Sequence, residues 1–134
     1  MSPEIMKKRT KAYALRVVRM AQVLSSTKVG KTLADQLLRS GTSVGANYRA
    51  ACRARSQADF IAKLKIVEEE CDESLFWMEL VSEARLVSQS KIAKLYKEGE
   101  ELLAIVVASI KTVRAARNGN RQSSVVNPRA KTGS

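Results

Sequence analysis

Apolar residues recur every three or four positions over four stretches of the chain, and small or polar residues break the pattern between them. Such spacing gathers each apolar set on one face of a helix. The first stretch, about residues 10–24, carries Tyr13, Val17, Met20 and Leu24 on one stripe, widened by Ala14, Val18 and Ala21. Lys11, Arg16 and Arg19 lie off that stripe, which predicts an amphipathic helix with a basic outer face. Residues 1–8 read as a polar lead-in, and Ser25–Gly30 as the first loop. The second helix, about 31–53, repeats at Leu33, Leu37, Gly41, Val44, Tyr48 and Ala51. The third, about 57–87, carries a near-heptad seam of Phe60, Leu64, Val67, Cys71, Leu75 and Met78, with Ile61, Ile66 and Trp77 outside it. The fourth, about 91–117, repeats at Ile92, Leu95, Gly99, Leu102, Val106, Ile110 and Val113.

Four amphipathic helices joined by short connections predict an all-α fold, an antiparallel up-down-up-down four-helix bundle over residues 1–118. Residues 119–134 turn to Asn, Gly, Ser and Pro with scattered Arg and Lys, and read as a disordered basic tail. Helix four has more apolar surface than one stripe needs, through Leu103, Ile105 and Val107. That surplus predicts a further copy of the chain as partner. Trp77 fits such an interface, and fits equally a cap on the core near the bundle's end.

The stretch from Gln36 to Trp77 is the most informative. Gly41 and Gly45 stand inside a helical pattern, where each costs about 1 kcal/mol against alanine, so a neighbour must pack very closely there. Ser56 and Asp59 form a short capping box that opens helix three. Folding the chain at Ala54–Arg55 puts Arg39 level with Glu70, Ser40 with Glu69 and Gln36 with Glu73. A basic helix bearing Arg39, Arg49, Arg53 and Arg55 thus lies beside one bearing Glu68, Glu69, Glu70, Asp72 and Glu73. The pair reads either as a charged seam, within or between subunits, or as two solvated faces. Ser43 and Asn47 on the same helix suit a polar contact with a specific partner.

The run RSGTSVGANYRAACRARSQADFIAKLKIVEEECDESLFWMELV resembles the signature region of a family of small bacterial four-helix-bundle proteins, named after open reading frames in intervening sequences of 23S rRNA genes. The matching positions are Arg39, Ser43, Gly45, Asn47, Arg49, Ala51, Arg53, Ser56, Asp59, Phe60, Lys63, Leu64, Glu69, Glu73 and Trp77. Ala50–Ala51–Cys52 departs from the pattern, since many relatives carry an acid just after the Asn-x-x segment. The resemblance implies an antiparallel bundle assembled as a homopentameric ring. It also implies a fold like that of the accessory variability proteins of diversity-generating retroelements, which bind a reverse transcriptase and nucleic acid.

Charge supports a polyanionic partner. Lys and Arg number 24 against 13 acids, a net +11 that in a small domain attracts nucleic acid. The excess is uneven: residues 56–87 sum to −5, while 1–25 and 26–55 each carry +5, and 88–118 and 119–134 each carry +3. The expected phosphate contacts are Arg16, Arg19, Lys28 and Lys31, then Lys111, Arg114, Arg117 and Arg121. The seam residues are Arg39, Ser43, Asn47, Arg49, Arg53, Glu69, Glu70, Glu73 and Trp77. With no base-reading module and few aromatics, such binding would be salt-sensitive and only weakly sequence-specific.

The chemistry expected is not enzymatic. The chain has no histidine, which excludes the Glu-x-x-His ligands of di-iron bundles and removes the commonest general base and zinc ligand. No phosphate-binding glycine loop or nucleophile elbow occurs. Within Glu68–Glu73 at most two carboxylates share a helix face, so neither a metal nor a cofactor is expected. Cys52 and Cys71 read as free buried thiols in a reducing compartment. The longest apolar run, Leu102–Ala108, is too short to cross a bilayer, and a cytoplasmic location is expected. The reading is a non-catalytic oligomeric scaffold for nucleic acid, in a ribonucleoprotein or beside a reverse transcriptase. The alternative is a structural ring whose basic face docks an acidic protein.

Overall fold

A computed structural model describes the backbone of residues 1–126 and the side chains of residues 1–119. Four helices follow in order: α1 (Pro3–Leu24), α2 (Lys28–Ala51), α3 (Gln57–Glu83) and α4 (Gln89–Val126). Each packs on its chain neighbours and α4 closes back on α1, while the diagonal pairs do not pack through their backbones. This is the expected antiparallel four-helix bundle.

The starts follow from capping. Ser2 accepts from the Ile5 amide at 3.2 Å with Pro3 in the first turn, Thr27 from Gly30 at 3.0 Å, and Ser56 from Asp59 at 3.0 Å. Each satisfies an amide that has no partner within its helix. The Ser2-Pro3-Glu4 start carries α1 back to Pro3, so the supposed lead-in is helical.

Helix α3 stops at Glu83 rather than near residue 87. Arg85 takes φ 61°, the Arg85 amide donates to Ser82 O at 3.0 Å, and the Leu86 amide donates to Val81 O at 3.0 Å. This double closure usually places glycine at the left-handed position, so its absence hid the stop. The left-handed form costs a residue with a Cβ about 1–2 kcal/mol, and glycine loses about 0.4–1 kcal/mol more chain entropy on folding. Arg85→Gly is therefore expected to stabilise the bundle by about 0.5–1 kcal/mol, read as a melting point raised by roughly 2–5 °C.

Helix α4 runs past residue 117, through Gly119, to Val126. The tail boundary expected at residue 118 therefore falls later, and the remainder of the expected tail, 127–134, lies outside the described residues.

The core is aliphatic, with Leu37, Leu64, Met78, Leu102, Val17, Val44, Val67, Val81 and Val106 buried around Tyr13. On α3 the inward stripe begins at Ile61, which is buried, while Phe60 is half-buried, the reverse of the heptad expectation. A 3.6-residue turn drifts against a seven-residue repeat and carries the stripe across. The expected close approach of Gly41 and Gly45 is present. A Cβ on Gly41 would lie 2.7 Å from both γ-methyls of Val17, and one on Gly45 would lie 3.2 Å from Thr10 O. The two glycines therefore let α1 lie directly against α2.

Candidate nucleic-acid interface

Side-chain contacts fix which residues stand level along the bundle. Arg9 of α1 forms a forked pair with Glu98 of α4, at 2.6 and 3.1 Å, and reaches Glu101 at 3.4 Å. Tyr13 of α1 shares a hydrogen bond with Ser74 of α3 at 2.8 Å, Cys71 Sγ donates to Gly99 O at 3.3 Å, and Tyr96 donates to Glu79 at 2.8 Å. On the other side Arg39 of α2 binds Glu70 at 3.0 Å, as the fold-back at Ala54–Arg55 predicts, and also Glu73, which that fold-back sets level with Gln36.

The charged seam is narrower than expected. Of the four arginines expected to form it only Arg39 meets α3 carboxylates; Arg49, on α2, and Arg53 and Arg55, in the α2–α3 turn, are exposed and have no ion pair among the described residues. The register explains this. With Arg39 level with Glu70 and Glu73, Arg49 stands level with about residue 61 and Arg53 with about residue 57, below the acidic tract that begins at Glu68. Glu69 is exposed and unpaired among the described residues. Ser43 and Asn47 bond their own helix: Ser43 Oγ donates to Arg39 O at 2.7 Å and Asn47 Nδ2 to Ser43 O at 2.8 Å.

Trp77 joins the seam by donating its indole N–H to Glu73 at 3.0 Å, and its ring meets Phe76 edge-on at 5.0 Å. That bond first, and Arg39 second, hold the Glu73 carboxyl below its usual range. Its stabilising contribution is present above the ordinary glutamate range and is lost as pH falls through the depressed value. Because Trp77 is the only tryptophan, its emission should change as pH falls below the ordinary glutamate range, and Glu73→Gln should abolish that transition.

The expected phosphate contacts do not form one continuous face. Arg16 and Arg19 line a cleft of about 240 Å³ between α1 and α4 with Met20, Val23, Lys91 and Leu95. Lys28 and Lys31 stand nearby at the start of α2, and Lys31 pairs with Asp35 at 3.5 Å. Lys111, Arg114 and Arg117 are at the opposite end, about 30 Å away at 1.5 Å per helical residue. Between the groups Arg9 is neutralised by Glu98 and Glu101. The side chain of Arg121 lies outside the described residues.

The end that carries Lys111, Arg114 and Arg117 also holds the α2–α3 turn. The Cys71–Gly99 and Glu79–Tyr96 contacts set residue 57 level with about residue 115, so Arg53 and Arg55 lie at about the same level along the bundle as Arg114 and Arg117. The shared level of Arg53 and Arg55 with Arg114 and Arg117, the pairing of Arg9 and the place of Lys91 were all missed in the sequence. Counting residues outward from both turns would have found the first of these.

The fold defines a class, the small four-helix bundle with closely packed consecutive helices. The chain belongs to the 23S rRNA-intervening sequence protein family, whose model matches residues 4–108. A solved structure of a protein with unknown function, from the S23 ribosomal protein family of Bacteroides thetaiotaomicron VPI-5482, is 32% identical with a TM-score of 0.78. The alignment covers 83% of this chain and 99% of that one. No curated protein matches. No described helix is long and apolar enough to cross a membrane.

Proposed function

We propose that this protein is a non-catalytic scaffold that assembles as a homo-oligomer, five copies by its family resemblance, and holds nucleic acid through phosphate contacts. The observation that carries the reading is charge without partners. Arg16, Arg19, Lys91, Arg49, Arg53, Arg55, Lys111, Arg114 and Arg117 have no carboxylate within ion-pair distance among the described residues. Meanwhile Glu70, Glu73, Glu79 and Glu98 are taken up by Arg39, Tyr96 and Arg9. Unneutralised cations raise the local concentration of a polyanion and release its counterions on contact. Repetition around a ring adds avidity to weak contacts. Ile66 and Phe76, exposed at 45% and 50% on the outer side of α3, support the oligomer. A reverse transcriptase or another nucleic-acid enzyme fits as a further partner of such a complex.

Light scattering tests both parts. The expected result is a mass five times the 14.8 kDa chain, growing further with added RNA or DNA at 50 mM salt and not at 500 mM. A monomer that ignores nucleic acid at both salts overturns the reading.

A further inference from the structure

We infer that the end of the bundle formed by the α2–α3 turn and the Lys111–Arg117 stretch of α4 is the docking surface, and that its ligand is duplex nucleic acid held by its phosphates. The inference rests on the nucleic-acid reading above and adds to it a place and a strand form.

Three observations converge on this end. Arg49, Arg53 and Arg55 come from one side and Lys111, Arg114 and Arg117 from the other, at matching levels along the bundle. The acids nearest this level are already engaged: Asp59 binds Lys63 at 2.7 Å and Glu4 binds Lys7 at 3.2 Å. The third is a change in the inward stripe of α4. Ile110 is buried, Val113 half-buried, and the next step of the same spacing is Arg117. Where α4 passes beyond the bundle, the face that had been apolar presents a cation. Folding gains nothing from like charges gathered at one end; a bound anion relieves their repulsion.

The side chains also select the form of the anion. Five of the six cations are arginine, whose planar fork matches phosphate oxygens two at a time. Single strands are usually held by bases stacked on exposed aromatic rings. The rings near this end are Tyr48, buried in the core, and Phe60, half-buried against it; neither offers an open face for a base. A ligand that keeps its bases stacked on one another and offers only phosphates fits such a surface. An acidic protein would be anchored by apolar residues at the centre of its interface. Among the described residues, the large exposed apolar side chains that come near this end are Met1 and Ile5, on the α1 flank.

The test uses the full chain and four labelled probes: a 20-base-pair RNA duplex, a DNA duplex, one single strand of the same sequence, and polyglutamate. Anisotropy titrations run from 50 to 200 mM salt on the natural protein, on R114E/R117E, on R53E/R55E, and on R16E/R19E at the opposite end. The expected result is duplex binding weakened at least about tenfold by either end variant, with the slope of log affinity against log salt smaller by roughly two for each. R16E/R19E should change both less. Should a reversal lose helicity, R114Q/R117Q replaces it, with a slope change in the same direction. If duplex binding survives both end variants and falls with R16E/R19E, the assigned surface is wrong and the nucleic-acid reading stands. A preference for the single strand overturns the duplex assignment. Polyglutamate bound as tightly as duplex, or no binding to any nucleic acid at 50 mM salt, overturns the inference and the reading together.

Discussion

Gly41→Ala should destabilise the bundle by about 1–2 kcal/mol, although alanine favours a helix over glycine by about 1 kcal/mol. The added methyl would meet both γ-methyls of Val17 at 2.7 Å and its Cβ at 3.1 Å. Val17 is fully buried and β-branched, so it has no other rotamer into which to retreat. Either α1 moves off α2 or the core strains, at about 1–3 kcal/mol beyond the propensity gain. Val17→Ala alone removes two buried methyls and costs about 2 kcal/mol. In the double variant the two changes compensate: the new methyl occupies space vacated by the valine and keeps its propensity advantage. The pair should therefore cost about 1 kcal/mol, well under the sum of the singles, a coupling of about 2–3 kcal/mol measured as a shift in denaturant midpoint at constant slope. Additive singles would mean that this contact does not set the α1–α2 distance.

The same contact shows what periodicity can and cannot reveal. Glycines at positions 41 and 45 of a helical stripe announce a close neighbour, because their propensity cost must be offset by packing, and the neighbour is α1. The Ser56–Asp59 cap and the Arg39–Glu70 pair were legible for a related reason: both depend on residues counted from a nearby turn. What escaped depended on local geometry without a typical residue, or on register between helices distant in sequence. Arg85 ends α3 in a conformation that normally advertises itself by glycine. Phe60 and Ile61 exchange places through helical drift over three turns. Arg9 meets Glu98 across 89 positions of sequence. The basic residues were legible as an excess but not as a surface, since α1 and α4 run antiparallel. Arg16 and Arg114, on helices that look equally basic, therefore stand at opposite ends of the bundle.

Gly99→Ala is expected to have the larger effect, a net loss of about 2–3 kcal/mol. A Cβ there would stand 2.8 Å from the Tyr13 hydroxyl and 2.8 Å from Leu75 Cδ2. Leu75 can turn a terminal methyl aside, but Tyr13 is fully buried and its hydroxyl is bonded to Ser74. Displacing it adds a lost buried hydrogen bond, about 1 kcal/mol or more, to the overpacking. Tyr13→Phe removes the oxygen that the new methyl would strike, and the ring carbon left nearest stands at 3.3 Å. Alone it should cost only about 1 kcal/mol, because Ser74 still donates to Cys71 O at 2.7 Å. Combined with Gly99→Ala it should recover much of the loss, leaving about 1 kcal/mol by chemical denaturation. The experiment bears on more than the core. The Gly99 carbonyl accepts from Cys71, so this one residue sets both how close α4 lies and how far along α3 it sits. That register carries Lys111, Arg114 and Arg117 to the level of Arg53 and Arg55. If Gly99→Ala costs nothing, or Tyr13→Phe rescues nothing, α4 is not held by this contact, and the alignment of the two arginine groups must be fixed elsewhere along the α3–α4 interface.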